Sequence, residues 1–494
     1  MTMPEAPLAA APVRRGPILA ACLMATFMPA VESTIVATAM PTIVADLGGF
    51  ALFSWVFTLY LLTQAVSIPL YGRLADTYGR KPVFFLGAGL FLAGSALAGF
   101  AQGMVALILF RALQGLGAGG VMPIAATILG DIYTPAERAH VQGLVSSVFG
   151  VSAVVGPSLG AFLIEHLSWP VVFWVNLPIG AASLLMLGLF LREQVAPRRH
   201  RLDVAGSLLL FAAIGGLMLM LALVQGGALP AFAWWAAVGG GAAALAALLV
   251  HETAVAEPML PLELWRNPVI VAGSLGNCAT GAVMMGVSAF LPAYVQGAMG
   301  RSPGAGGLVL GAMSVSWAFA SLLGGRIMVR TSYRSTALLG GTALVAGCAM
   351  LLALSPERGP LWAAAGSFVI GIGMGFCSTT FIVSIQAAVP WTKRGAATSS
   401  AMFLRFVGQA LGAAGCGAVL NATLRAHGGP ASERLADRVL DAAERARMAP
   451  DELARMVGLL ARGLHNAYLL AAALAVVSLA LALLIPRRLS PRHA

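Results

Sequence analysis

One carboxylate in this 494-residue chain stands alone inside an apolar run: Glu32, in ESTIVATAMPTI (32–43). The other eighteen acids lie in loops, tails or at the ends of such runs. Two arginines share its setting, Arg111 in FRALQGLGAG (110–119) and Arg405 in FLRFVGQALG (403–412). An ionisable group deep in an apolar span is expensive to place, so a functional role is the default expectation. A carboxylate there can carry a proton and contact a cation; the plain alternative is a structural ion pair or contact with trapped water. For Arg111 the plain alternative is bonding to carbonyls of neighbouring helices. For Arg405 it is a long side chain reaching toward the membrane surface.

Other chemistry has little to stand on. Cys22, Cys278, Cys348, Cys377 and Cys416 all fall in apolar runs without CxxC or Cys/His spacing, so neither a disulfide framework nor a metal site is expected. All seven histidines lie in loops, tails or span ends, and no GxxxxGK[ST] loop is present. The chain is therefore expected to be no enzyme, to hold no cofactor and to take no energy from ATP.

The elements that must position these charges are membrane spans. Hydrophobic residues make up 59% of the chain and charged residues 10%, against about 45–50% and about 25% in soluble domains. The composition excludes an ordinary soluble enzyme and a disordered chain. Fourteen apolar runs are long enough to cross about 30 Å of hydrocarbon. They cover roughly 17–40, 50–71, 82–101, 104–130, 138–164, 169–191, 203–224, 232–250, 268–298, 303–328, 335–354, 361–389, 395–420 and 463–485. The net charge of +11 sits in the short gaps between runs, which fits membrane topology and not nucleic-acid binding. Short alternate loops hold 19 Lys and Arg on one side and 2 on the other, so both termini are expected in the cytoplasm. Glu32 then lies about 12 Å, and Arg111 about 10 Å, below the outer surface at 1.5 Å per residue, which makes them partners in depth.

The chain also repeats. GRLADTYGRKP (72–82) has an echo in GRIMVRTSYRS (325–335) at an offset of 253, and Arg138 of TPAERA aligns with Arg394 of VPWTKRGA at 256. Two echoes at nearly one offset give a 6 + 2 + 6 plan: a six-helix half over 1–191, an inserted pair over 192–267, and a second half over 268–494. A site between such halves near the midplane is a transporter plan. Arg405 is expected to pair across the halves. The loop 421–462 mixes seven Arg with six acids, and i,i+4 pairs such as Asp441 with Arg445 predict an outer-face helical hairpin broken at Pro450.

On these motifs the sequence resembles the major facilitator superfamily, and within it the fourteen-span drug:proton antiporter branch, of the quaternary-ammonium-compound exporter type. GRLADTYGRKP fits the signature loop, with Gly72, Asp76, Gly79, Arg80 and Lys81 in place. FRALQGLGAG is similar to the fourth-span motif with its buried Arg. GVSAVVGPSLGA (150–161) resembles the fifth-span antiporter motif through Gly150, Gly156, Pro157 and Gly160. The first-span motif of the branch carries Asp where this chain has Glu32, one methylene longer. The resemblance implies an all-α membrane protein of fourteen helices, a proton-coupling role for Glu32 with Arg111, and a conformational latch at Asp76. The fifth-span motif is expected to pack against the other half.

The expected function is proton-coupled efflux of lipophilic or cationic drugs across the cytoplasmic (inner) membrane by alternating access, with antibiotic resistance as the outcome. The alternatives are export of a specific endogenous lipid, siderophore or metabolite, and a non-transporting receptor or scaffold on the same fold; the intact Glu32, Arg111 and Asp76 set argues against the last. Candidates for an apolar, aromatic cavity are Phe27, Trp55, Tyr60, Gln64, Met284, Met285, Trp317 and Phe381. Expected partners are a small lipophilic molecule, protons and the bilayer, with a periplasmic adaptor protein as a further candidate. The chain is expected to act as a monomer and to bind no nucleic acid.

Overall fold

The computed structural model describes residues 15–193, 204–226, 231–255, 263–390, 393–428 and 432–487, and among them every regular element is helical. The first half holds α1 (Arg15–Leu47), α2 (Phe53–Tyr78), α3 (Arg80–Ala98), α4 (Met104–Ile132), α5 (Pro135–His166), α6 (Val171–Trp174) and α7 (Asn176–Phe190). The last two form one span, Val171–Phe190. The pair α8 (Val204–Gly226) and α9 (Ala231–Ala254) follows, and α8 packs on α2 and α14. The second half holds α10 (Pro268–Ala293), α11 (Pro303–Arg330), α12 (Tyr333–Leu352), α13 (Gly359–Ala387), α14 (Arg394–Gly428), α15 (Ser432–Leu440), α16 (Ala442–Arg447) and α17 (Pro450–Leu484).

Among the described residues, 13 helices are long and apolar enough to cross a membrane, and α8 is a further helix of 23 residues. In a bilayer, backbone polar groups must be satisfied within each segment, which makes helices the available form. Successive spans run antiparallel, so Arg15 and Leu484 lie at one face of the bundle, called here the near face; the other is the far face. Where a helix begins at a loop, a short polar side chain caps it. Thr134 and Glu137 form a reciprocal capping box at α5, and Ser302 and Ser332 accept from Ala305 N–H and Ser335 N–H at α11 and α12.

The internal repeat is written in close glycine contacts. A Cβ on Gly115 of α4 would lie 2.2 Å from Thr63 Oγ1 of α2; one on Gly371 of α13 would lie 2.0 Å from Ser316 Oγ of α11. Gly119 against Ser67 and Gly375 against Ala320 repeat the relation one turn on. These pairs are related by 256 residues for the glycines and 253 for their partners, the offsets carried by the sequence echoes. Small residues let the helix backbones approach this closely.

The halves meet along two seams. In one, α5 packs on α11, where a Cβ on Gly307 would lie 2.7 Å from the Pro157 carbonyl oxygen. In the other, α2 packs on α14, with Asn421 Nδ2 donating to the Ala51 carbonyl at 2.8 Å. Contacts between the halves gather toward the far face: Phe53 and Phe290 rings are 5.3 Å apart, and Gln296 Nε2 donates to the Thr38 carbonyl at 3.3 Å.

The segment 421–462 is not the separate hairpin expected. The helix of the preceding span runs on to Gly428, and Pro450 opens α17, whose first turns continue into the last span. Only α15 and α16 stand between them. Proline is well tolerated at a first helical turn, so Pro450 starts a long helix instead of splitting a hairpin.

Candidate functional site

Glu32 on α1 and Arg111 on α4 meet: Arg111 Nη1 lies 2.6 Å from Glu32 Oε1, and both side chains are enclosed, at 0% and 1% exposure. The same nitrogen donates to Gln114 Oε1 at 2.6 Å. Asn176 Nδ2, at the start of α7, donates to Glu32 Oε2 at 2.5 Å and to Ser95 Oγ of α3 at 3.1 Å. Gln114 Nε2 also donates to Ser95 Oγ, which donates onward to the Phe173 carbonyl at 2.8 Å. The guanidinium lies 3.9 Å from the centroid of the Tyr60 ring on α2. The cluster therefore joins α1, α2, α3, α4 and the α6–α7 span at one level.

A buried ion pair is tolerated only when its remaining donors and acceptors are satisfied. Here each carboxylate oxygen accepts a hydrogen bond, and the side chain is enclosed in this state. Asn176, Gln114 and Ser95 were not singled out in the sequence; the available signal was polar side chains with the same mid-depth placement as the two charges. The repeat does not copy the cluster. The offsets 256 and 253 place Ser367, Ile370 and Cys348 where Arg111, Gln114 and Ser95 stand in the first half.

At the near face, Arg80 Nε lies 2.7 Å from Asp131 Oδ2, tying the start of α3 to the end of α4. The backbone N–H groups of Arg80 and Lys81 donate to the two carboxylate oxygens of Glu193 at 2.5 and 2.9 Å. The anionic cap of α3 is thus Glu193; the side chain of Asp76, the expected latch residue, lies outside the described residues. Lys81 Nζ donates to the Gly188 and Leu191 carbonyls. Gly79 has φ +93°, and a Cβ there would lie 2.8 Å from Glu193 Oε2. At Gly72 a Cβ would meet nothing within 4 Å.

The fifth-span motif divides its contacts. Pro157 and Gly150 face α11, the latter in ordinary contact with Ala318. Gly156 and Gly160 instead face Thr34 and Ile35 of α1, inside their own half. Among the described residues, Arg405 has no partner across the halves. Its guanidinium lies 5.1 Å from the Trp317 ring centroid and 4.0 Å from Met284 Sδ, both in the second half. Arg405 thus brings Trp317 and Met284 together; Phe381 is fully buried against Gly276, and Met284 and Met285 are both buried. Tyr60 lies under Arg111 and Gln64 packs on Gly119 of α4, while Phe27 and Trp55 are half-buried.

Two structurally repeated bundles, a buried charge cluster in one and seams between them, define a multi-pass membrane transporter. The chain belongs to the Major Facilitator Superfamily, whose model matches residues 22–413. It is 34% identical over 416 residues to the multidrug transporter protein MdtP of Bacillus subtilis, an alignment covering 83% of this chain and 76% of that one. It is also 34% identical over 395 residues to multidrug resistance protein 3 of the same organism, covering 79% and 76%. The efflux pump FUS6 of Gibberella fujikuroi is 29% identical over 416 residues, covering 82% and 75%. Among solved structures, a bacterial homologue of the human lysosomal transporter Spinster shares the fold at a TM-score of 0.70 and 18% identity, covering 98% of this chain and 100% of that one.

Proposed function

We propose that this protein exports lipophilic compounds in exchange for protons, by alternating access, with its near face toward the cytoplasm. The enclosed Glu32–Arg111 pair carries the proposal. Protonation of Glu32 would leave Arg111 without its counter-ion, and breaking a buried pair costs about 3–5 kcal/mol. Proton uptake is therefore favourable only when the helices around the cluster shift to let water or another acceptor reach Arg111. That requirement links a proton at Glu32 to the position of α1, α2, α4 and α7. A proton crossing about 150 mV supplies enough free energy for a gradient of roughly 300-fold. Its likeness to a multidrug transporter, a multidrug resistance protein and an efflux pump supports drug efflux as the task.

The test is substrate-induced proton release from purified protein across pH 6 to 9, together with uphill transport in proteoliposomes. Glu32→Gln keeps the shape and cannot change charge, so both signals should vanish. A glutamine variant that still releases protons on substrate addition would place the coupling group elsewhere. For orientation, cysteines at positions 195–200 should be labelled only from the cytoplasm, and labelling from outside refutes it.

A further inference from the structure

We propose that the substrate site of this transporter selects aromatic organic anions, with Arg405 as the group that binds the negative charge. The proposal rests on the transport reading above and names its substrate class. Two charges of the membrane-embedded core, Glu32 and Arg111, neutralise each other inside the first half. Arg405 is different: it is half-buried, and among the described residues its guanidinium meets the Trp317 ring and the Met284 sulfur, neither of which carries charge.

Its position matters as much as its state. α14 forms one seam with the first half and α11 forms the other. A side chain rooted on α14 that reaches Trp317 of α11 therefore lies across the face of the second half that fronts the first. Glu252 does not compensate it. That carboxylate lies with Phe403 and Val407 in the groove between α8, α9 and α14. Arg405 is two residues from each of these and turns to the opposite flank of the helix.

The surroundings add recognition. Trp317 offers a flat apolar ring beside the cation, and Met284 an adaptable apolar wall. A planar anion would stack on Trp317 and place a carboxylate or sulfonate on the guanidinium fork, which matches such groups geometrically.

The experiment uses two probes of one ring system and opposite charge, naphthalene-1-sulfonate and trimethyl(1-naphthyl)ammonium. Equilibrium dialysis against the full-length protein in lipid nanodiscs should show the sulfonate held at least tenfold tighter. R405Q should abolish that preference, R405K should keep part of it, and W317L should weaken both probes alike. The proposal fails if the wild-type protein holds the ammonium probe as tightly as the sulfonate, or if folded R405Q retains the preference. The wild-type ratio decides even if R405Q does not fold. Binding needs no proton gradient, so a preserved anion preference without uphill transport would overturn the coupling proposal and leave this one standing.

Discussion

Asp437 Oδ1 accepts a hydrogen bond from the backbone N–H of Phe50 at 2.9 Å, joining α15 of the second half to the α1–α2 corner of the first. Arg445, in the adjoining α16, donates to the carbonyls of Gln296 and Gly297 in the helical turn that follows α10. The short helices before the last span thus clasp the far ends of both halves. Asp437→Asn keeps an acceptor but removes the charge, and Asp437→Ala removes both. Hydrogen bonds to a charged group contribute about 1.5–3 kcal/mol. The alanine variant should therefore shift the balance toward a separated far face by roughly tenfold, with the asparagine variant between it and wild type. Spin-label distances across the far face check this; unchanged distributions in Asp437→Ala would refute the clasp.

Gly79 and Gly89 should respond in opposite ways to the same change. Gly79 sits at φ +93° with Glu193 in the space a Cβ would take, whereas a Cβ on helical Gly89 meets nothing within 4 Å. Gly79→Ala adds backbone strain of about 1–3 kcal/mol and displaces the carboxylate that caps α3. Gly89→Ala should be neutral or raise the melting temperature, since alanine favours the helix by up to about 1 kcal/mol. Thermal unfolding of both variants in one detergent makes the comparison, and equal losses would contradict it.

Glu137 sets a small acid dependence at the near face. The Thr134 backbone N–H, then the Thr134 hydroxyl, hold its carboxyl below the usual carboxylate range, with Arg15 adding to the effect. A carboxyl with a depressed folded value contributes stability above its unfolded value of about 4.3 and loses it as pH falls through the folded value. The melting-temperature gap between wild type and Glu137→Gln should be full above about pH 5 and close at lower pH. A gap that stays constant from pH 7 to 3 would rule out the linkage.

Much of the plan was legible because membrane insertion imposes it residue by residue. The spans follow from uninterrupted apolar length, and the equal depth of Glu32 and Arg111 from counting residues inward. The echo offsets reappear as Gly115 on Thr63 and Gly371 on Ser316. What stayed hidden depends on rotation about helix axes, which depth does not determine. Arg405 turned toward Trp317 of its own half, and Gly156 toward α1 rather than the other half. Glu193 took the cap of α3 from more than 100 residues away. The helices flanking 421–462 were misjudged because a charged amphipathic segment and an apolar span can share one continuous helix when the first stands clear of the membrane.

The Glu32–Arg111 pair makes the sharpest energetic prediction. Glu32→Gln leaves Arg111 buried with no counter-ion, and Arg111→Gln leaves the Glu32 carboxylate buried with only the neutral side chains of Asn176 and Gln114 beside it. Each single change should cost about 3–5 kcal/mol if the partner stays charged. The double variant removes both charges while keeping hydrogen-bonding side chains beside Gln114, Asn176 and Ser95. It should recover most of that loss, because the penalty comes from the unpaired charge and not from the missing attraction. The coupling energy from the four-protein cycle should then be large, at least about 5 kcal/mol, since two losses of about 3–5 kcal/mol collapse to a small one. Recovery of folding must not restore proton release, since no titrating carboxylate remains in the cluster. Denaturant unfolding of the four proteins, with proton release measured in parallel, separates the two roles. If the double variant is as unstable as the sum of the singles, the pair is not a coupled unit. If it folds well and still exports uphill, the cluster is a structural pin and the proton travels by another route.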